Sequence, residues 1–491
     1  MNFASATYLV FLVLTYVAYW RLGTRERQNA LLAFCSYLFY GWWDPRFCLL
    51  MMASTFVDYY CAGGIAKSKS AGVRKSLVVF SLVANLGLLA FFKYFNFFQD
   101  SLIAAVGTFG IQLEPFTLSI ILPVGISFYT FQTLSYTIDV YRGKLEPARN
   151  FIDYVVYVSF FPQLVAGPIE RGSRMMPQLR EPRVFEKDNV VMGLQQIVWG
   201  LFKKTVIASN VAPIVDKLFE DLSIRSGPEI WLGAFCFAIQ IYCDFSGYSD
   251  IAIGSARLLG IRLMRNFAFP YFSQSLREFW RRWHISLSTW FRDYVFIPLG
   301  GSRVSTWRCH MNLFIVFIIS GLWHGASWNY VIWGAIHGGL LIVESLFLKS
   351  PQLKSTDSPA GERLIPKLQA VLRMAAVFFV VIIAWVFFRI VAFDDACLAI
   401  SKMFTDWRMP EFENMNYSLT MFRGVKIPLI FFGIEWISRK HEVPFFALNT
   451  DSPIARGLGY IACTFVFWLV FFFKPTNVLS LIHISEPTRP Y

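Results

Sequence analysis

Long apolar stretches recur from one end of the chain to the other, at 6–20, 28–43, 47–62, 76–98, 116–137, 152–168, 190–215, 229–243, 311–326, 328–348, 369–392, 425–438 and 455–473. Many reach the length needed to cross ~30 Å of hydrocarbon, about 17–25 residues of helix. A spanning chain must satisfy every backbone polar group internally, so only helices or closed barrels are open to it. Barrel strands would alternate over about ten residues; these runs are solid. The pattern predicts an all-α, polytopic helical membrane protein of about eleven to thirteen membrane segments, some of them re-entrant. Composition agrees: 56% of residues are hydrophobic, 18% aromatic and 16% charged, where soluble chains carry about a quarter charged.

The net charge of +13 does not point to nucleic acid, because the basic residues sit in short loops between apolar runs. They read as positive-inside bias. RLGTRER (21–27) and AKSKSAGVRK (66–75) are basic, WWDPR (42–46) is nearly neutral, and no Lys or Arg lies between Asp100 and Glu114. That alternation places the amino terminus outside and the basic loops in the cytoplasm. The first run has no basic region before it and no small-residue cleavage site after it, so a retained span is expected. The eight cysteines are scattered without CxxC spacing and are expected to be reduced core residues. The most linker-like stretch, 349–368, falls between spans.

From 244 to 308 the text is neither a clean span nor a polar domain, mixing aromatics, arginines and small residues. At membrane depth such interrupted backbone survives only when buried in protein or lining a wet cavity. Short amphipathic helices entering the membrane partway are expected here. FFPQLVAGPIER (160–171) and DFSGYSD (244–250) read as span ends broken at Pro or Gly, with Gln163, Asp244 and Tyr248 as candidate cavity groups.

Of the six histidines (His284, His310, His324, His337, His441 and His483), two have unusual settings. His284 lies in EFWRRWHISLSTWFRDY (278–294) and His324 in GLWHGASW (321–328). Ionisable side chains at membrane depth are costly and face an interior or a water path. The residues alone leave His324 between an interhelical hydrogen bond and a proton-transfer role. Gly321, Gly325, Ala326 and Ser327 let a backbone or substrate approach closely, and Trp323 and Trp328 are expected to wall off bulk water. An imidazole in such a site tends to be neutral and able to take a proton from an alcohol. Ser286 and Ser288 are expected to bond backbone at a helix break. Arg277, Arg281, Arg282 and Arg292 suit either a snorkelling amphipathic helix or contacts to the phosphates of an anionic donor. Metal-ligand spacing, a G-x-S-x-G elbow and a Walker loop are all missing from the sequence, so no metal is expected.

EFWRRWHISLSTWFRDYVFIPLGGSR (278–303) and GLWHGASWNYVIWGAIHG (321–338) resemble the two signature regions of the membrane-bound O-acyltransferase (MBOAT) family. YLFYGWWDPRF (37–47), FFKYFNFF (91–98), LPVGISFYTFQTLSYTIDVYRG (122–143) and QIYCDFSGYSDIAIG (240–254) extend the likeness over residues 1–474. The resemblance is to its bacterial, alginate-acetylating branch. It implies a membrane enzyme around a central tunnel, with His324 as the catalytic histidine and His284 as the second signature histidine. It also implies an inner-membrane location, no bound cofactor, and a cytoplasmic acetyl donor, acetyl-CoA. The implied acceptor is a cell-surface polysaccharide such as alginate, reached directly or through a periplasmic acetyltransferase of the AlgJ/AlgX type. D-alanyl and peptidoglycan transferases share the signatures, and a transporter using His324 as a proton relay is the alternative from another class. His324 would deprotonate the acceptor hydroxyl, with an acyl-imidazole as the variant route. Residues 475–491 depart from the family pattern and are expected to form a tail outside it, which leaves His483 without a role.

Overall fold

A computed structural model describes residues 1–347 apart from 115, 117 and 119, then 368–409 and 415–439. The apolar run 455–473, the tail 475–491, His441, His483 and nearly all of the expected linker lie outside the described residues. Every regular element that is described is helical, as the solid apolar runs require. The helices are α1 (Ala6–Arg21), α2 (Arg25–Gly41), α3 (Arg46–Lys67), α4 (Ala71–Leu89), α5 (Phe95–Gly107), α6 (Ile126–Tyr141), α7 (Phe151–Ser159) and α8 (Gly172–Arg180). They continue as α9 (Lys187–Leu201), α10 (Ser209–Phe219), α11 (Gly227–Leu258), α12 (Leu276–Arg282), α13 (Ile285–Phe291) and α14 (Thr306–His324). The last four are α15 (Trp328–Phe347), α16 (Leu368–Arg389), α17 (Phe393–Thr405) and α18 (Met415–Ser438). Among the described residues, five stretches are long and apolar enough to cross a membrane: α3, the continuous run Ala71–Gly107, α11, α15 and α16.

Two compact units emerge. The first comprises residues 1–190 and 255–264; the second comprises 191–254 and the described chain from 265 onward. In the first, Asp58 of α3 is fully buried and accepts from Ser81 and Asn85 of α4 (Asn85 at 2.8 Å) and from Thr137 of α6 at 3.1 Å. A buried carboxylate is tolerated when its oxygens are satisfied, and here they tie three helices together. Gln163 belongs to this unit, in the expected break after α7, where its amide donates to the Tyr157 carbonyl at 3.0 Å.

The second unit corrects one expectation. DFSGYSD does not end a span: α11 runs unbroken through it, because glycine serves there as a contact surface instead of a helix breaker. A Cβ on Gly247 would lie 2.7 Å from the Gly200 carbonyl oxygen, and one on Gly254 would lie 2.6 Å from that of Gly193. Two glycines two turns apart on one face of α11 thus let α9 approach backbone to backbone, the close packing that small residues permit in membrane helices. A π-helical turn, Phe202–Ala208, follows α9 and turns Lys203 and Lys204 inward. Lys203 pairs with Asp250 at 2.5 Å and donates to Ser246 at 2.9 Å; Lys204 pairs with Asp244 and lies over the Tyr248 ring. Of the two candidates for a cavity, Asp244 is instead committed to a buried ion pair with Lys204 and Tyr248 packs against that lysine, as buried charges need a partner.

After α11 the backbone takes the interrupted form expected of it. The helices α12 and α13 have seven residues each, and α13 is followed by a π turn at Arg292–Phe296. Ser275 caps α12 by accepting from the Glu278 amide at 3.1 Å, while Glu278 accepts from the Gln274 amide at 2.7 Å. This side-chain-to-backbone pairing satisfies amides that a short helix leaves open.

Candidate active site

The helices α14 and α15 form an antiparallel pair joined by Gly325, Ala326 and Ser327. Glycines set how closely they cross. A Cβ on Gly321 would collide with the Tyr330 carbonyl oxygen, one on Gly334 with the Phe317 carbonyl oxygen, and one on Gly325 with the Tyr330 ring. The small residues around His324 therefore admit the neighbouring helix. His324 is the last residue of α14, buried, with its ring 4.9 Å from Trp323, 5.1 Å from Trp333 and 5.2 Å from Phe388 of α16. Trp323 provides a wall, as expected. Trp328 does not: it is 58% exposed, and Trp333, on the buried face of α15, takes its place.

His284 joins α12 to α13 with φ 44° and ψ 56°, a left-handed conformation that costs a non-glycine residue about 1–3 kcal/mol. The cost is met by Asn266. Its backbone carbonyl accepts from the Ile285 amide at 2.9 Å, and its Oδ1 accepts from the Ser286 amide at 3.3 Å, from Ser286 Oγ at 3.0 Å and from His284 Nδ1 at 3.1 Å. An amide oxygen can only accept, so the hydrogen of neutral His284 is assigned to Nδ1, leaving Nε2 as the acceptor. Burial pushes its pKa down to about 3, so the ring is neutral at ordinary pH. Its ring lies 4.7 Å from Phe245 and 6.0 Å from Trp323. The two signature histidines, 40 positions apart in sequence, thus come to share one indole, Trp323. Ser288 bonds the Trp283 carbonyl at 3.2 Å, as expected of it, whereas Ser286 is turned to Asn266.

The arginines divide. Arg282 is held by Glu278 at 2.6 Å, and Arg292 pairs with its neighbour Asp293 at 2.7 Å. Arg277, Arg281 and Arg292 line a cavity of about 250 Å³, with Trp280, Phe317 and Ser320 among its other lining residues. Ser320 stands one helical turn before His324, and Trp280 touches Trp333 at 5.6 Å. The cavity therefore has a basic side, an apolar interior, and an inner wall that adjoins the surroundings of His324.

Asn266 and His337 were not singled out from sequence. Asn266 carries no pattern of its own. His337 had a signal, an ionisable group in an apolar run, the same one that marked His324. His310 takes the plain structural role, 2.9 Å from Ser345 Oγ of α15.

Helical spans, interrupted short helices and two buried histidines against one indole describe a helical membrane protein with a candidate site in its second unit. Residues 148–386 match the family model "MBOAT, membrane-bound O-acyltransferase family", and the chain belongs to that family, making it a multi-pass membrane O-acyltransferase. It is similar to the "Probable alginate O-acetylase AlgI" of Azotobacter vinelandii, 40% identical over 463 residues that cover 93% of this chain and 88% of the relative. The protein of the same name from Pseudomonas aeruginosa is 37% identical over 470 residues, 93% of this chain and 86% of the relative. A "Peptidoglycan O-acetyltransferase" of Helicobacter pylori is 34% identical over 400 residues, 76% of this chain and 73% of the relative.

Proposed function

We propose that this protein is a bacterial inner-membrane O-acetyltransferase that takes acetyl groups from cytoplasmic acetyl-CoA for transfer to hydroxyls of a cell-surface polysaccharide, alginate being the first candidate. The observation that carries the reading is His324, enclosed by aromatic rings and one helical turn from Ser320, which lines a cavity that also carries three arginines. Arginine suits the phosphates of such a donor, because its fork of N–H groups binds oxyanions in pairs. The apolar interior suits the pantetheine arm and the thioester.

In this reading His324 accepts the proton of the acceptor hydroxyl. The oxygen then bonds to the thioester carbonyl carbon, the carbon–sulfur bond breaks, and the proton passes to the leaving sulfur. His284, neutral and fixed through Nδ1, orients the acceptor. The acceptor is either the polymer or a periplasmic acetyltransferase of the AlgJ/AlgX type that carries the group onward. The three relatives described above are all named for acetyl transfer, which supports acetyl over other acyl groups.

Replacement of His324 by Ala should lower acetyl transfer by about 10²–10⁴-fold, the usual contribution of a general base, at normal protein level. The measurements are ester-linked acetate on cell-surface polysaccharide and release of label from acetyl-CoA by purified protein. Unchanged acetylation in the variant would remove His324 from the chemistry. Inertness toward acetyl-CoA but turnover of a D-alanyl carrier would reassign the donor, and inertness toward every donor with solute uptake in vesicles would point to transport.

A further inference from the structure

His337 on α15 has no part in the reaction as described, yet its setting is unusual. It is fully buried, and neither Nδ1 nor Nε2 has a hydrogen-bond partner among the described residues. Its ring meets Trp280 at 4.9 Å, perpendicular to it, and Trp333 at 4.9 Å; the two indoles meet each other at 5.6 Å. The indole nitrogens of Trp280 and Trp333 are likewise without partners among the described residues. Four ring nitrogens are thus gathered in one triangle of touching rings, none satisfied by the described residues. A buried polar group without a partner costs about 1–3 kcal/mol, and an apolar ring would fill the site of His337 without that cost. Such groups are uncommon in folded proteins and call for a reason in each case. The triangle also has a telling position. Trp333 touches His324 at 5.1 Å, while Trp280 and Phe317 line the cavity, and His337 packs against both of them.

We infer that His337, Trp280 and Trp333 form the polar wall that receives the carbonyl oxygen of the acyl group during transfer. The inference rests on the acyl-transfer reading. When the acceptor oxygen, deprotonated by His324, bonds to the carbonyl carbon of the thioester, the carbonyl π electrons move onto oxygen. That oxyanion accepts hydrogen bonds from the imidazole N–H and the indole N–H groups. It collapses as the C=O bond re-forms and the C–S bond breaks, and the sulfur leaves as a thiol with the proton from His324. Thioester and alcohol become ester and thiol, with no other reactant. Donors held in a dry, rigid wall act strongly on a developing anion because no solvent must reorganise around it.

The test uses purified full-length protein with labelled acetyl-CoA and an alginate oligosaccharide as acceptor. His337→Phe, which keeps a ring and removes both nitrogens, should melt no lower than the wild type. It should lose about 10²–10³-fold in kcat with KM for acetyl-CoA nearly unchanged. His337→Gln, which restores an N–H donor, should recover about tenfold of that loss. Wild-type kcat in His337→Phe overturns the wall, as does a His337→Gln no faster than His337→Phe when both fold. If the Phe variant fails to fold, Trp280→Phe gives the same readout: a fall in kcat at constant KM is expected, and an unchanged kcat overturns the proposal. Wild-type protein inert toward acetyl-CoA and toward a D-alanyl carrier alike would overturn the acyl-transfer reading and the wall with it, whereas active wild type with active His337→Phe removes the wall alone.

Discussion

Asn266 shows how much one neutral side chain can hold. Its amide oxygen is the common acceptor for the Ser286 amide, Ser286 Oγ and His284 Nδ1, and it does this where the backbone of His284 is strained. Asn266→Ala should therefore destabilise by more than the loss of one hydrogen bond, on the order of 2–4 kcal/mol, because buried donors are left unmatched. A lowered melting temperature in detergent, with weakened acetyl transfer, is the expected result; an unshifted melt would mean that another acceptor replaces it. His284 adds a pH dependence whose sign follows from its depressed pKa of about 3. Below the ordinary value near 6.5 the unfolded chain binds a proton that the folded chain refuses. Stability from this residue is complete above that pH and declines as pH falls toward 3. Melting curves taken from neutral to about pH 4.5 should show that decline, by at most ~1.4 kcal/mol per pH unit, and His284→Gln should flatten it.

Between helices, glycine does the positioning. Gly321 and Gly334 let α14 and α15 cross with their backbones in contact, which brings the Trp333 ring against His324. Adding a methyl group at such a crossing forces the helices apart, a cost typical of overpacking at about 1–3 kcal/mol. Gly321→Ala should lower both the melting temperature and kcat, since a shift of a few tenths of an ångström reaches His324 three residues on. Gly339→Ala on the same α15 is the control: a Cβ there meets nothing within 4 Å, and replacing glycine in a helix favours the helix slightly. Equal behaviour of the two variants would show that the crossing distance does not matter. The glycine-mediated approach of α9 to α11 follows the same rule, and it explains why DFSGYSD continues a helix where its composition suggested an end.

For the chain as a whole, the distribution of Lys and Arg makes a prediction that packing cannot. The basic loops 21–27 and 66–75 should face the cytoplasm. Ser68→Cys, between α3 and α4, should react with a membrane-impermeant maleimide only after cells are permeabilised, as judged by the labelling gained over the wild type. Labelling in intact cells would invert the orientation, and with it the side on which acetyl-CoA is met.

The sequence alone determined the helical class, the membrane environment and the presence of interrupted backbone ahead of α14, and it singled out His284 and His324 as candidates. Each depends on local composition and spacing: solid apolar runs leave the backbone only helical hydrogen bonding, and an imidazole in an apolar run is conspicuous wherever it packs. The tertiary structure decided what those residues face. It exchanged Trp328 for Trp333 as the wall of His324 and turned Asp244 and Tyr248 from a cavity to Lys204. It also drew Asn266 under His284 and collected His337, Trp280 and Trp333 into one cluster. These pairings join residues tens of positions apart on different helices, and they follow from helix crossing distances set by glycines and from the need of each buried polar atom for a partner. No local pattern records either.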